Sequence, residues 1–380
     1  MYWRYLAVVF CCLTFHQTAH ADSLLPSRER IDTWLNKLGA DGKFDASKGI
    51  DWGVMPGPFY TPELGLGVGA AVVGMYRPDT SGPDTQNSTL SLSGYVSSTG
   101  ALGLSMKNYA FFADDRWRIF LDGALDNTPT YYWGRGFRAG ARDSHKQKYT
   151  AQAFSIRPDL YRRIAPNTWM GIGWSFSTLH AGQIDDAHTG PLLKEPDGAS
   201  VTSSGFSISL NYDSRDFVPN PRKGQTLFMR YTRYAPDLGS NTRFNEYESR
   251  YSLYHALDQR DILAWEVNGH FTQGDVPWNM LPLLGSSHRM RGYYEGRYRD
   301  RNAVSSQLEL RHKLSWRHGI VGWIGGGTMS PRFSQLGKSR WLPSAGVGYR
   351  FEFKPRMNVR LDFGVGKGSS GFYFQAGEAF

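Results

Sequence analysis

The stretch MNVRLDFGVG, residues 357–366, alternates strictly. Met357, Val359, Leu361, Phe363 and Val365 fall on one parity, and Asn358, Arg360, Asp362, Gly364 and Gly366 on the other. Successive side chains of a strand point to opposite faces, so this is a strand with one apolar and one polar face. The closing residues GFYFQAGEAF, 371–380, repeat the pattern, with Phe372, Phe374, Ala376 and Phe380 on a face broken only by Glu378. Alternation alone fits a water-soluble sandwich and a membrane barrel equally well. The rest of the chain decides between them.

Working back from the C-terminus, similar segments recur at 340–352, 317–327, 302–313, 260–273, 242–256, 224–235, 201–214, 167–181 and 148–162. A weak one follows near 130–138, then 115–126, 101–112, 88–99 and 64–77. That makes about sixteen strands, of the length expected for tilted membrane strands. Residues 127–147 are the least regular part of this assignment. Short connections (SSTG, APN, DQR, FKPR) interleave with longer ones at 78–87, 182–200, 274–301 and 328–339. Short periplasmic turns and longer outer loops are the pattern of an outer-membrane barrel. The composition agrees: aromatics make up 14% of the chain and charged residues only 20%, with 43 glycines and 21 tyrosines. Strands with a lipid face, a polar face and aromatic girdles produce that mixture, whatever the negative mean hydropathy suggests. No run of apolar residues is long enough for a spanning helix.

At the N-terminus, Arg4 precedes an apolar run from Tyr5 to Phe15, and Ala19-His20-Ala21 supplies small residues for cleavage. Residues 1–21 are therefore expected to be a secretory signal peptide. Both cysteines, Cys11 and Cys12, leave with it, so the exported chain uses neither disulfides nor thiolate ligands. Residues 22–57 are expected to form a periplasmic extension, with the barrel over 58–380. Within that extension Ile31, Trp34, Leu35 and Leu38 follow helical spacing, Ser27 can cap and Gly39 can terminate, which predicts a short amphipathic helix.

One cluster asks for a separate explanation. Five arginines lie between Arg289 and Arg301, interleaved with Tyr293, Tyr294 and Tyr298, directly before the strand of 302–313. Arginines among aromatics suggest nucleic acid, but an exported chain rarely meets any. The formal charge of +9 fits anionic outer-membrane lipid, lipopolysaccharide included. Met290-Arg291-Gly292-Tyr293 resembles the (V/L/M)RG(F/Y) motif of the BamA/TamA superfamily of outer-membrane barrels, also called bacterial surface antigens. Asp213, Arg215 and Asp216, followed by Pro221 and Gly224, resemble that family's periplasmic turn. The segment PFYTPELGLGVG resembles its first strand, and Phe372, Phe374, Gly377 and Phe380 its terminal assembly signal.

The resemblance implies that the arginine loop folds back into the lumen, where Arg291 meets an acidic group, since charges there must be paired or wet. Gly325 stands where the family usually carries that group, which leaves Glu309 and Asp362 as candidates. Exchanging Arg291 with its true partner is then expected to restore the loop. The family's larger members carry POTRA domains ahead of the barrel, and residues 22–57 are too few to hold one. The resemblance further implies insertion, assembly or translocation of proteins or lipids at the outer membrane, with an unfolded outer-membrane or secreted client. Barrel-assembly machinery is expected to insert the protein, and homo-oligomers are compatible with the fold. The alternative is a passive pore or structural barrel. Glycines 65, 67, 69, 364 and 366 are expected to weaken the seam between first and last strands.

Enzymatic chemistry finds little support. Asp185-Asp186-x-His188 lies in an outer loop without a second Asp–His pair, and GWSFS lacks the closing glycine of a hydrolase elbow. GLGVGA and GVGKGSS lack the strand–loop–helix setting of nucleotide motifs, and the histidines have no metal spacing. No cofactor, metal or nucleic-acid partner is expected.

Overall fold

The computed structural model describes residues 49–380, apart from 79–81, 83–84, 186–188, 219, 316 and 355, together with residues 29, 30, 33 and 37. Those last four are helical, and Thr33 Oγ1 donates to the Glu29 carbonyl (2.7 Å). The leader at 1–21 and the apolar stripe Ile31, Trp34, Leu35 and Leu38 lie outside the described residues.

Sixteen antiparallel strands close into one barrel. They are β1 (Ile50–Thr61), β2 (Gly65–Tyr76), β3 (Ser88–Ser97), β4 (Leu102–Phe112), β5 (Trp117–Tyr132), β6 (Gln147–Ala165), β7 (Thr168–Gly182) and β8 (Ser200–Asp213). Then follow β9 (Gly224–Tyr234), β10 (Phe244–Ala256), β11 (Asp261–Gly274), β14 (Asn302–Ser315), β15 (His318–Ser330), β16 (Trp341–Lys354), β17 (Met357–Gly366) and β18 (Ser369–Ala376). Two short strands, β12 (Leu283–Leu284) and β13 (Tyr298–Arg299), pair with each other inside the loop between β11 and β14.

A soluble sandwich would bury its apolar face. Here that face is the exposed one: Leu66, Leu104, Ile324 and Val347 are all more than 60% exposed, whereas Arg118, Asp159, Arg230, Glu266, Glu309, Arg360 and Asp362 are buried. Apolar outside and polar inside is the arrangement a bilayer demands of a closed barrel.

The expected strand count was right through two compensating differences. The weak segment at 130–138 is not a strand of its own; β5 runs unbroken from Trp117 to Tyr132, paired with β6 throughout. Conversely, β1 begins at Ile50, inside the expected extension and ahead of position 58. Its sequence, IDWGVMPGPFYT, hides it, because Gly53, Pro56, Gly57 and Pro58 weaken the strand signal. Proline offers no N–H to a ladder and is tolerated on edge strands, the position β1 occupies at the barrel's seam. The extra strand also reverses the sides of the first connections. β2 ends and β3 begins at the short-turn end, and residues 98–101 lie at the long-loop end, opposite to the simple alternation of lengths.

Ladders run along every neighbouring pair of strands, with irregularities at Arg163/Ala165, Lys313/Ser315 and Glu352/Lys354 and a two-residue gap after Ile156 on β6, and only one join is nearly bare. β1 pairs with β2 at every position from Ile50↔Tyr76 to Thr61↔Gly65, and β17 with β18 from Val359↔Ala376 to Gly366↔Ser369. Between β1 and β18 the register holds one pair, Tyr60↔Phe374. The glycines expected to weaken this seam sit elsewhere. Gly65, Gly67 and Gly69 are on β2, where Gly67 lies under the Phe59 ring, and Gly364 and Gly366 are on β17.

Candidate functional site: an arginine loop latched in the lumen

The loop leaving β11 turns back on itself through the β12–β13 pair (Leu283↔Arg299, Leu284↔Tyr298), which sends residues 285–297 down into the barrel. Met290 and Gly292 both take left-handed backbone (φ 52° and 106°). At Gly292 a side chain is excluded twice over, since its Cβ would also lie 2.7 Å from the Val365 backbone. Met290 and Tyr293 anchor the turn among Leu284, Tyr298, Ala303, Met329 and Leu342, one of three buried apolar clusters among the described residues.

The descending segment is fastened to β16, β18 and the turn before β18 by its backbone and by the Tyr293 hydroxyl. The Gly292 amide donates to Tyr373 Oη (2.9 Å), and Ser344 Oγ donates to the Arg291 carbonyl (2.7 Å). Ser369 Oγ donates to the Gly292 carbonyl. Tyr293 Oη donates to the Pro343 carbonyl and accepts from the Lys367 amide (2.7 and 2.6 Å). Gly364 and Gly366 make this approach possible: a Cβ at Gly364 would lie 2.7 Å from the Arg291 carbonyl carbon, and one at Gly366 would overlap the Tyr293 ring. Gly364→Ala is therefore expected to lift the loop while leaving the barrel closed. Limited proteolysis should then cut within 285–301 of the folded, heat-modifiable protein, where wild type resists.

Arg291 is fully buried and meets both candidate carboxylates. Its Nη2 donates to Glu309 (2.6 Å) and its Nη1 to Asp362 (2.7 Å). Neither partner belongs to it alone. Glu309 also receives Arg311 (2.8 Å), and Asp362 receives Arg350 and Arg360 (2.6 and 2.8 Å). Arg350 continues to Glu378 (2.8 Å). The vacancy at Gly325 is explained two residues earlier on the same inward face, where the Trp323 ring stacks on the Arg291 guanidinium at 3.5 Å. Arginine suits this position because its planar fork can serve two carboxylates while its face lies on an aromatic ring. Sequence parity had placed Arg360, Asp362 and Glu309 inward. It gave no sign that Arg350, Trp323, Tyr373 and Glu378 would converge with them, since strand neighbours in a closed barrel are distant in sequence.

The remaining motif positions have separate places. Asp213 and Arg215 form a fork within one turn (2.9 and 2.7 Å), Pro221 is buried and Gly224 has φ 104°. The turn they shape straps the short-turn mouth: Arg222 donates to the Asp258 and Gln259 carbonyls, and Arg356, from the β16–β17 turn, reaches Asp216 (2.9 Å) and the Asn220 carbonyl (2.7 Å). Partial burial opposes ionisation of Asp216, but the Arg222 and Lys223 amides and the Arg356 guanidinium outweigh it and hold the carboxyl below its usual range. A lowered carboxyl contributes stability at neutral pH that is lost only as pH falls below about 4. Arg356→Ala should accordingly speed tryptic cleavage at Arg222 and Lys223 at neutral pH, without changing the barrel's melting.

The terminal aromatics do not all share one face. Phe372 is exposed, its ring 5.9 Å from Tyr60 across the seam, and Phe374 pairs with Tyr60. Gly377 (φ 86°) then ends the alternation, and Phe380 turns inward, where Arg311 donates to its carbonyl (2.7 Å) with the ring 5.3 Å away. Asp186 and His188 lie outside the described residues. Among the described residues no group of three or more His, Cys, Asp or Glu side chains could hold a metal.

A family model for the Omp85 superfamily domain matches residues 85–380, from just before β3 to the last residue. The chain belongs to the Omp85 superfamily. Among solved structures it is similar to BamA from Haemophilus ducreyi lacking POTRA domains 1–3, at 15% identity and a TM-score of 0.54, covering 86% of this chain and 70% of that one. It is also similar to CdiB from Acinetobacter baumannii (13%, TM-score 0.55, 86% and 59%) and CdiB from Escherichia coli (12%, 0.58, 90% and 69%). At these identities the likeness is one of fold, and this Omp85 chain spans 59–70% of the length of those relatives. No curated protein sequence matches it. Membership in the superfamily places the barrel in the outer membrane.

Proposed function

We propose that this Omp85 barrel inserts or translocates proteins or lipids at the outer membrane by parting the seam between β1 and β18. The observation that carries this is the single register pair, Tyr60↔Phe374, in a wall whose other neighbouring strands are each joined by eight or more pairs. Unpaired N–H and C=O groups along a strand edge bind other strands, so a parted seam offers a template to a client segment. In this orientation the short turns face the periplasm, where an unfolded client would arrive, and the long loops face outward.

The alternative, a passive pore, needs an open lumen. The arginine loop occupies the interior, and outer loops are tied above it: Arg135 reaches Glu195 (2.5 Å), Trp278 Nε1 donates to the Gly198 carbonyl (3.0 Å), and Arg297 meets Asp143 (3.0 Å). The test is a disulfide across the seam, scored by outer-membrane composition under oxidising and reducing conditions. A device that opens sideways fails when locked, whereas a passive pore or structural barrel does not.

A further inference from the structure

The loop between β15 and β16, residues 331–340, leans outward instead of covering the lumen. Its Phe333 ring packs edge-on against Phe271 of β11 (5.3 Å, 73°), which lies on the lipid-facing parity two strands away from the loop's own root on β15. Phe333 is still 68% exposed, and Trp341, where the loop enters β16, 52%. Below them the wall continues in exposed Ile324 and Val347, so these rings stand at the upper rim of the apolar belt. The loop is held in this pose by side chain–backbone bonds: Ser330 Oγ to the Arg332 carbonyl (2.7 Å), Thr328 Oγ1 to the Arg340 carbonyl (3.0 Å) and Ser339 Oγ to the Gln335 carbonyl (3.0 Å).

On this ledge stand Arg332, Lys338 and Arg340, all exposed. The segment from Pro331 to Trp341 contains no acidic residue, and among the described residues none of these three cations is in an ion pair. Aromatic rings on the apolar outer face, with unmatched cations on the same loop, fit a lipid whose headgroup carries phosphate.

We propose that residues 331–341 form a binding site for a phosphorylated glycolipid of the lipid A type, its phosphates on Arg332, Lys338 and Arg340 and its acyl chains against Phe333, Trp341 and Ile324. Several cations on one short loop favour a lipid with more than one phosphate over a singly charged phospholipid.

The test uses the purified full chain in neutral detergent, titrated with bis-phosphorylated lipid A and with the same lipid dephosphorylated, and read by native mass spectrometry. Wild type should retain the phosphorylated lipid at least tenfold more tightly. Arg332→Gln, Lys338→Gln and Arg340→Gln together should abolish that preference, at roughly fivefold per cation. Phe333→Ser should weaken both lipids alike, and Lys194→Gln on a different outer loop should change neither. Equal binding of the two lipids by wild type, which requires no variant to fold, overturns the site, as does a preference that survives the triple substitution. Neither client nor seam enters the assay, so its outcome is independent of the proposed function.

Discussion

Asp362→Asn will release the lumen loop and also weaken the last strands of the barrel, whereas Arg291→Ala will do only the first. The difference follows from counting charges in one buried cluster. Four guanidinium groups, Arg291, Arg311, Arg350 and Arg360, are joined there to three carboxylates, Glu309, Asp362 and Glu378. Removing Arg291 leaves Glu309 paired with Arg311, and Asp362 with Arg350 and Arg360. The strands keep their charges matched, and the loss falls on the loop. Removing the charge of Asp362 leaves three arginines facing one another without their common acceptor. Breaking a buried pair from one side costs about 3–5 kcal/mol, and here strands β16 and β17 share the cost with the loop. Urea titration of the folded band, together with proteolysis of 285–301, separates the two effects. Equal urea midpoints for Asp362→Asn and Arg291→Ala would show that the cluster is wet and interchangeable.

The same geometry revises the expected rescue by charge exchange. Arg291→Glu combined with Asp362→Arg sets the new arginine beside Arg350 and Arg360, and combined with Glu309→Arg sets it beside Arg311. Neither pair restores the loop. Arg291→Lys also fails in part, because one ammonium cannot span two carboxylates and stack on Trp323 as the planar fork does.

Local alternation made the strand faces legible: Glu309 and Asp362 could be put inside, and Phe363 and Phe372 outside, from parity alone. It could not supply neighbours, because which inward residue meets which depends on barrel closure. Arg350 and Glu378 are joined across three strands, and Trp323 finds Arg291 only once the loop has descended. Local composition misled where backbone chemistry departs from the strand norm. The prolines and glycines of β1 disguised a strand, and the strand expected to end at 126 runs on through Asn127 and Pro129 to Tyr132, its ladder to β6 unbroken. Parity carries the alternation through Gly377 to Phe380, but the left-handed glycine turns the chain there. The seam was placed between the right ends of the chain and assigned to the wrong first strand.

With the register known, the lock becomes Tyr60→Cys with Phe374→Cys, the one directly opposed pair across the seam. Opposed Cβ atoms in an antiparallel pair stand about 4.5–5.5 Å apart, close enough for a disulfide after small adjustment. Cys11 and Cys12 are the only native cysteines and lie in the expected leader, so the engineered pair has no competitor in the exported chain. A net backbone hydrogen bond is worth about 0.5–1.5 kcal/mol, so a seam with one register pair parts at a cost of a few kcal/mol, whereas a full ladder such as β1–β2 does not part at all on that scale. A covalent link removes the open state. Client insertion should fall to background in the oxidised protein and recover on reduction, with barrel abundance unchanged. Val54→Cys with Val72→Cys supplies the control, since it joins two strands that are already laddered and should be silent in both conditions. If the oxidised seam lock supports wild-type outer-membrane composition while its disulfide is verified on a gel, the barrel works without opening sideways, and the passive reading takes its place.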